Sequence, residues 1–194
     1  MSAPDYRPEF LAALDLLAKA SALMLAEGRS PPVLVGGAVV EFDTLGAITS
    51  GDLDLVSADD LALDRALKTV GFRREDRPGR RLGGYFHPDI PIAVDCVSSR
   101  YYDGLGDRKR IRFIGMPSGD VLMAPIEEII IDRYGQWEAS DRRDAELADQ
   151  LRALMALAVG LDETYVKRRI LQDIGTEPDF GALATPSPRK GETP

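Results

Sequence analysis

Two aspartates inside an apolar run are the residues of this chain best suited to chemistry. They belong to Ser50-Gly-Asp-Leu-Asp-Leu-Val56, where Asp52 and Asp54 stand two positions apart. Because successive side chains of a strand point to opposite faces, both aspartates share one face and the leucines take the other. Carboxylates about 6–7 Å apart along a strand repel each other unless a positive charge lies between them. A hard divalent cation fits this pattern, whereas an edge strand whose acids deter aggregation is the alternative.

A third aspartate lies in another apolar run, Ile92-Ala-Val-Asp-Cys-Val97. This run predicts a buried strand, in which an unpaired Asp95 carboxylate would be costly. Asp95 could pair with an arginine. If its strand instead lies beside the strand of Asp52 and Asp54, the three carboxylates converge. Such a cluster suits Mg²⁺ or Mn²⁺, with water and substrate phosphate completing the coordination.

A glycine pair precedes the first two aspartates. Gly36 and Gly37 directly follow the apolar residues Val33–Val35 and open a predicted short helix. A junction of strand, glycine turn and helix presents backbone N–H groups, and the start of a helix attracts phosphate. Glycines after a strand often serve only a tight turn, so this pair gains functional meaning from the aspartates downstream.

Taken together, these residues resemble a known signature. Gly36-Gly37, fourteen intervening residues, Asp52-Leu-Asp54 and the later strand-borne aspartate are similar to the motif of the nucleotidyltransferase superfamily, which includes DNA polymerase β and CCA-adding enzymes. The resemblance covers residues 30–100 and points most to small bacterial proteins of the AbiEii and related toxin–antitoxin type. Gly37 stands where many members have serine, and the gap before Asp52 is slightly long.

The resemblance implies a reaction, the transfer of a nucleoside monophosphate from an NTP to a hydroxyl group. The acceptor would be a protein side chain, a tRNA end or a small molecule such as an antibiotic. By position, Gly36 and Gly37 would hold the triphosphate. Two Mg²⁺ (or Mn²⁺) ions, which activate the attacking hydroxyl and the α-phosphate, would be bound by Asp52, Asp54 and Asp95. Asp95 would also help to deprotonate the acceptor.

Basic residues after the predicted sheet are further candidates for nucleotide binding. In related families a helix at this place contributes basic residues to the nucleotide or a partner, and here these would be Arg133, Arg142 and Arg143. Charged residues on a helix usually form its solvated face, so both interpretations stay open. Residues 73–112 hold ten basic residues against six acidic ones. They either steer phosphates toward the site or belong to a solvated hairpin.

The composition of the whole chain narrows the function classes. Its 194 residues are 44% hydrophobic and 29% charged, which is typical of a soluble globular protein. The net charge of −8 argues against tight non-specific binding of nucleic acid over the whole surface. One cysteine excludes an internal disulfide framework, and one histidine excludes multi-histidine metal sites. No apolar run approaches the ~20 residues that span a bilayer, and no secretory signal is recognisable, so a cytoplasmic protein is expected.

The order of predicted elements indicates an α+β fold, with a small mixed β-sheet, helices on one face and a C-terminal helical segment. We expect a nucleotidyltransferase-like domain over residues 1–120, a packed helical segment over 121–175 and a disordered tail over 176–194. The predicted helices cover Pro8–Glu27, Gly36–Leu45, Leu61–Val70, Pro125–Trp137, Ser140–Ala158 and Asp162–Ile174, and the predicted strands Val33–Val35, Gly51–Ser57, Leu82–His87, Ile90–Val97 and Arg110–Ile114. Turns are predicted at Pro78-Gly79 and over Gly115–Gly119.

A second class of function fits the same residues. The fold could serve as a binding module, an antitoxin or regulatory partner that keeps the pocket but acts through protein contacts. The missing serine at Gly37 fits this alternative, because one side-chain contact to phosphate is absent.

Overall fold

A computed structural model of the protein describes residues 6–75 and 84–184. These residues form an α+β fold with six α-helices and a seven-stranded mixed sheet. The chain divides into two compact units, Met1–Pro125 and Ile126–Pro194. Within the described ranges, no helix has the length and apolarity that crossing a membrane requires.

The first unit contains the sheet and three α-helices. Its order along the chain is α1 (Pro8–Ala26), β1 (Val33–Val35), α2 (Gly36–Asp43), β2 (Asp52–Val56), α3 (Asp60–Thr69), β3 (Arg73–Arg74), β4 (Gly84–His87), β5 (Ile90–Ser98), β6 (Arg112–Met116) and β7 (Gly119–Met123). Two short 3₁₀ helices, Tyr101–Gly104 and Arg108–Arg110, connect β5 to β6.

The sheet has the order β3-β4-β5-β2-β1-β7-β6. Strand β2 pairs in parallel with β5, and β1 pairs in parallel with β7, while the other neighbours are antiparallel. This order brings β2 and β5 side by side although more than thirty residues separate them, as their register pairs Asp52 with Ala93. The two aspartate-bearing strands are therefore direct neighbours near the centre of the sheet.

The hydrophobic core lies on one face of these central strands. Leu53 and Leu55 of β2 are fully buried, and Ile92, Val94 and Cys96 of β5 are buried in the same alternation. Strand β2 pairs these two leucines with Val94 and Cys96, so the two strands turn matching apolar faces toward the core. Helix α1 packs along the sheet with buried residues spaced three and four apart.

The second unit is helical. It contains α4 (Ile126–Ala139), α5 (Ala145–Leu157), α6 (Glu163–Ile174) and a 3₁₀ helix at Phe180–Ala184. The carboxylate of Asp144 caps α5 by accepting hydrogen bonds from backbone N–H groups, and Asp162 does the same for α6. Helix α4 packs against both α5 and α6.

Two predicted element boundaries are wrong. The sequence predicts a turn over Gly115–Gly119, whereas the first of these glycines lies in β6 and the second begins β7, a strand that the pattern does not predict. The predicted helix Ser140–Ala158 begins only at Ala145. The helix begins later than predicted because Asp141 and Arg142 have φ angles of 54° and 60°, in the left-handed region that ends a helix.

Some predictions fall outside the described residues. These are the Pro78-Gly79 turn, the first two residues of the strand expected at Leu82–His87, and most of the tail beyond residue 184. The sequence predicts a disordered tail from residue 176 onward, but the 3₁₀ helix Phe180–Ala184 lies within this range.

Candidate active site

Asp54 and Asp95 lie side by side on the polar face of the central strands. The register of the parallel pair β2–β5 places Asp54 opposite Asp95 and Asp52 opposite Ala93. Each aspartate is half-buried, and the residues that alternate with them are buried. The three predicted acids therefore share one face of the sheet, opposite to the leucine face.

The carboxylates of Asp54 and Asp95 lean toward different neighbours. A Cβ atom added to Gly36 would overlap the Asp54 carboxylate and lie 3.0 Å from its Cβ, so Asp54 packs against the glycine turn. A Cβ atom on Gly84 would lie 2.7 Å from Oδ1 of Asp95, so Asp95 leans toward β4. Strands β4 and β1 flank the pair on opposite sides, so each carboxylate lies next to a different glycine.

The grouping of the acidic side chains decides how a cation could be held. Across residues 6–75 and 84–184, no three His, Cys, Asp or Glu side chains are grouped closely enough to form a metal site by themselves. Mg²⁺ commonly takes only one or two protein carboxylates and fills its remaining positions with water and phosphate. The donor set of Asp52, Asp54 and Asp95 consists of hard oxygen ligands, so its chemistry fits Mg²⁺ or Mn²⁺ bound together with a phosphate-bearing substrate.

The glycine turn forms the start of α2 and contacts Asp54. Gly36 has a φ angle of +68°, which only glycine adopts at little cost, and it is the first residue of the helix. A Cβ atom on Gly37 would lie 2.7 Å from Oγ of Ser50, so this second glycine makes room for a side chain that precedes Asp52. The backbone N–H groups at the start of α2 thus lie next to the aspartate pair, where an anion would be favoured.

A part-buried ion pair, which the sequence pattern does not predict, joins α2 to the segment before β2. Glu41 in α2 is fully buried, and the guanidinium of Arg7 donates to both of its oxygens, at 3.0 and 2.7 Å. The backbone N–H of Ser50 also donates to Glu41, at 2.6 Å. The available signal was an acid directly after the apolar residues Ala38–Val40, because a buried carboxylate in such a run requires a partner.

The predicted basic residues Arg133 and Arg143 belong to the second unit. Arg133 lies in α4, where its Nη1 donates to Gln136 and its Nε lies 3.7 Å from Asp132. Burial raises the pKa of Asp132 despite this nearby arginine. Arg143 is exposed in the turn before α5 and not within a helix, which corrects the helical placement predicted for it.

The basic segment 73–112 is only partly described. Arg112 donates both guanidinium nitrogens to Asp43 at 2.6 and 2.9 Å and also binds the carbonyl oxygen of Ala124. This arginine therefore fastens the end of β7 to α2. The residues Arg77, Arg80 and Arg81 lie outside the described ranges, so phosphate steering by this segment stays a prediction.

Solved structures resemble this chain in fold. An antigenic nucleotidyltransferase-like protein from Paracoccidioides brasiliensis matches with a TM-score of 0.60 and 15% identity, over 90% of this chain and 91% of that one. The chain has a nucleotidyltransferase-like fold. ANT(2'')-Ia in complex with adenylyl-2''-tobramycin matches with a TM-score of 0.55 and 16% identity, over 83% of this chain and 96% of that one. The solution structure of ANT(2'')-Ia, an antibiotic-resistance factor, matches with a TM-score of 0.52 and 14% identity.

The sequence comparisons add nothing to this likeness. No family model matches the sequence, and no curated protein does. At these low identities the nucleotidyltransferase-like structures establish the fold alone, and the chemistry has to be argued from the residues of this chain.

Proposed function

We propose that this protein is a metal-dependent nucleotidyltransferase that transfers a nucleoside monophosphate from an NTP to a hydroxyl acceptor. One observation carries the proposal: Asp54 lies beside Asp95 on neighbouring parallel strands and against the glycine turn that starts α2. An acidic pair next to the N-terminus of a helix is suited to a substrate that combines phosphate with a divalent cation.

Each residue of the site has its own role in the proposed reaction. Asp52 and Asp54 would hold the cation, Mg²⁺ or Mn²⁺, and the N–H groups after Gly36 and Gly37 bind the triphosphate. When bound there, the cation would supply positive charge to the phosphate groups during in-line displacement. The acceptor oxygen forms a bond to the α-phosphorus, the bond to the bridging oxygen of the β-phosphate breaks, and pyrophosphate leaves. Asp95 accepts the proton of the attacking hydroxyl.

A small molecule with a hydroxyl group is the favoured acceptor class. The printed name of one fold neighbour describes a complex with adenylyl-2''-tobramycin, and this chain spans 96% of that neighbour. A protein side chain and a tRNA end are the other acceptors that fit the proposed reaction. All three classes present a hydroxyl oxygen as nucleophile, so the acceptor has to be decided by experiment.

Incorporation of labelled nucleotide tests the proposal. The purified protein is incubated with Mg²⁺ and each α-labelled NTP in turn, with tobramycin, a cell extract or tRNA as acceptor. Asp54→Asn and Asp95→Asn should each lower incorporation by at least about 100-fold, as is usual when a group that acts in the transition state is removed. Asp120→Asn is the matched control, because Asp120 is an exposed strand aspartate on β7. No incorporation from any NTP, or equal loss in the control, contradicts the proposal.

The second candidate is a binding module without turnover, acting as an antitoxin or regulatory partner. It is favoured by Gly37, which offers no side chain to phosphate. A ligand that binds the native state raises its melting temperature by mass action. A thermal shift with Mg²⁺ and NTP but no incorporation therefore supports the binding module. A toxin–antitoxin role of the AbiEii type is compatible with both the binding module and the enzyme.

A further inference from the structure

We propose that Arg7, Glu41 and Ser50 form a positioning network, here called the clasp, that sets the Asp52 carboxylate for cation binding. The inference rests on the proposed function, because it assigns these three residues to the same site. They do not touch the substrate in this proposal. They act through Asp52, whose place at the start of β2 depends on the segment before it.

The clasp is anchored at a buried carboxylate. Glu41 has 0% exposure, and both of its oxygens are bound by Arg7, whose side chain is 31% exposed. Hydrogen bonding to Glu41 raises the pKa of the Arg7 guanidinium above its ordinary value, so the guanidinium stays charged. The arginine precedes α1, where Pro8 begins the helix, and the acid lies in α2. The anchor therefore joins the start of α1 to α2 through two residues that lie 34 positions apart.

The other end of the clasp holds the backbone of Ser50 from both sides. Its N–H donates to Glu41 at 2.6 Å, and its carbonyl oxygen accepts from Arg7 at 2.7 Å. The Ser50 hydroxyl then donates to the carbonyl oxygen of Asp52 at 3.0 Å and reaches the Asp52 carboxylate at 3.4 Å. One residue is thus fixed at its amide, carbonyl and hydroxyl, two positions before the predicted ligand.

The same serine also borders the glycine turn. Its Oγ occupies the space that a side chain at Gly37 would fill, 2.7 Å from the missing Cβ. The clasp consequently fixes the distance between the start of α2, where the triphosphate is proposed to bind, and Asp52, where the cation is proposed to bind. A buried ion pair is weak support for stability in itself, so a role in geometry is the better account of this one.

Calorimetric titration with ATP, in the presence of MgCl₂ and separately of EDTA, tests the clasp. Glu41→Gln removes the charge of the anchor, and Ser50→Ala removes only the hydroxyl that reaches Asp52. In the wild type, Mg²⁺ should raise the affinity for ATP. Each variant should lose about 10–100-fold of the affinity measured with Mg²⁺, as is typical when residues behind a metal ligand are removed, and little of the affinity measured with EDTA. A merely structural defect would lower both affinities.

Two variants serve as matched controls. Asp43→Asn breaks a second bidentate arginine pair of the same helix, the one with Arg112, which holds the end of β7 and not Ser50. Ser118→Ala removes a hydroxyl that donates to Asp15 at 2.8 Å, in the turn between β6 and β7. Both controls should keep the Mg²⁺-dependent affinity within about twofold of the wild type, since neither contacts Asp52.

The outcomes separate the clasp from the proposed function. If Mg²⁺ does not raise the ATP affinity of the wild type, the proposed function fails and the clasp fails with it. If the wild type shows the effect and Ser50→Ala keeps it in full, the clasp alone is overturned. Hydrogen exchange of the Ser50 amide gives a reading that needs no ligand, because Glu41→Gln replaces its charged acceptor with a neutral amide and should speed its exchange relative to Asp43→Asn. If Glu41→Gln does not fold, Ser50→Ala decides.

Discussion

At the scale of single residues, Gly36 is restricted both by its backbone conformation and by its contact with Asp54. Its φ angle of +68° lies in the left-handed region, and a Cβ atom there would overlap the Asp54 carboxylate. Backbone conformation and site geometry thus demand the same residue. This double demand explains why the residue that directly follows the strand is a glycine.

Gly36→Ala should therefore lower both stability and nucleotide binding. An alanine in the left-handed region costs about 1–2 kcal/mol in unfolding free energy, and the displaced Asp54 should weaken the affinity for MgATP. Urea denaturation and calorimetry measure the two effects. Gly135→Ala is the control, because Gly135 lies in α4 with open space around its missing Cβ, and it should gain about 0.5–1 kcal/mol. Unchanged affinity in Gly36→Ala would contradict the contact between turn and aspartate.

The contact between Gly37 and Ser50 gives a second prediction. Gly37→Ala places a Cβ atom 2.7 Å from the Ser50 hydroxyl oxygen but 3.4 Å from its Cβ, which is close to ordinary contact. The alanine should thus be destabilising alone and better tolerated together with Ser50→Ala. A double-mutant cycle of unfolding free energies should give a favourable coupling of about 0.5 kcal/mol or more, the lower end for residues in contact. Additive effects would show that the two residues do not touch.

At the scale of elements, the central strands could be predicted from local patterns, and the network that positions them could not. Strands β2 and β5 alternate apolar and polar residues, which gives both the strands and the shared face of Asp52 and Asp54. The pairing of Arg7 with Glu41 spans 34 residues and leaves no periodic trace. A buried acid predicts that a partner exists, but nothing in its neighbourhood says which arginine it is.

Strand β7 was missed for a related reason. This strand, Gly119–Met123, is short and begins with a glycine and an aspartate, both of which are rare in strands. Pairing supplies what local propensity lacks: β7 lies between β1 and β6, parallel to the first and antiparallel to the second. Tertiary contacts thus override the weak local preference, and such contacts cannot be read from a five-residue window.

Strand β5 also carries a chemical probe, the thiol of Cys96. Burial and then the nearby Asp60 raise the pKa of Cys96 to about 11. Because the thiolate is the reactive form, iodoacetamide should label the native protein slowly at pH 8 and faster as the pH rises toward 11. In urea the thiol regains an ordinary pKa of about 8.5, so labelling at pH 8 should accelerate. Asp60→Asn should speed native labelling, and equal rates in both proteins would contradict the assigned cause.

At the scale of the whole molecule, each compact unit contains a single native reporter. Cys96, the one cysteine, lies in the first unit, and Trp137, the one tryptophan, lies in α4 of the second. Labelling of the thiol and fluorescence of the indole therefore follow the two units separately without any engineered probe. This allows an ion pair of the second unit to be tested by its own signal.

Glu128 of α4 belongs to the ion pair that this signal can test. It is fully buried in α4, accepts a hydrogen bond from the Tyr165 hydroxyl and lies 3.4 Å from Nη2 of the buried Arg169. Glu128→Ala leaves the arginine charge buried without this carboxylate, while its ion pair with Asp173 remains. Breaking a buried pair from one side typically costs about 3–5 kcal/mol, so the Trp137 fluorescence transition in urea should move to a much lower midpoint.

Replacing both charged residues distinguishes the free-energy cost of burying one charge without its partner from the contribution of the ion pair to stability. The double change Glu128→Leu with Arg169→Met should recover most of the lost unfolding free energy, because well-packed apolar side chains often replace a buried ion pair without loss. Glu146→Gln, at an exposed carboxylate of α5, should leave the Trp137 midpoint within about 0.5 kcal/mol of the wild type. If the double change is as unstable as Glu128→Ala, the pair itself, together with its bond to Tyr165, stabilises the second unit.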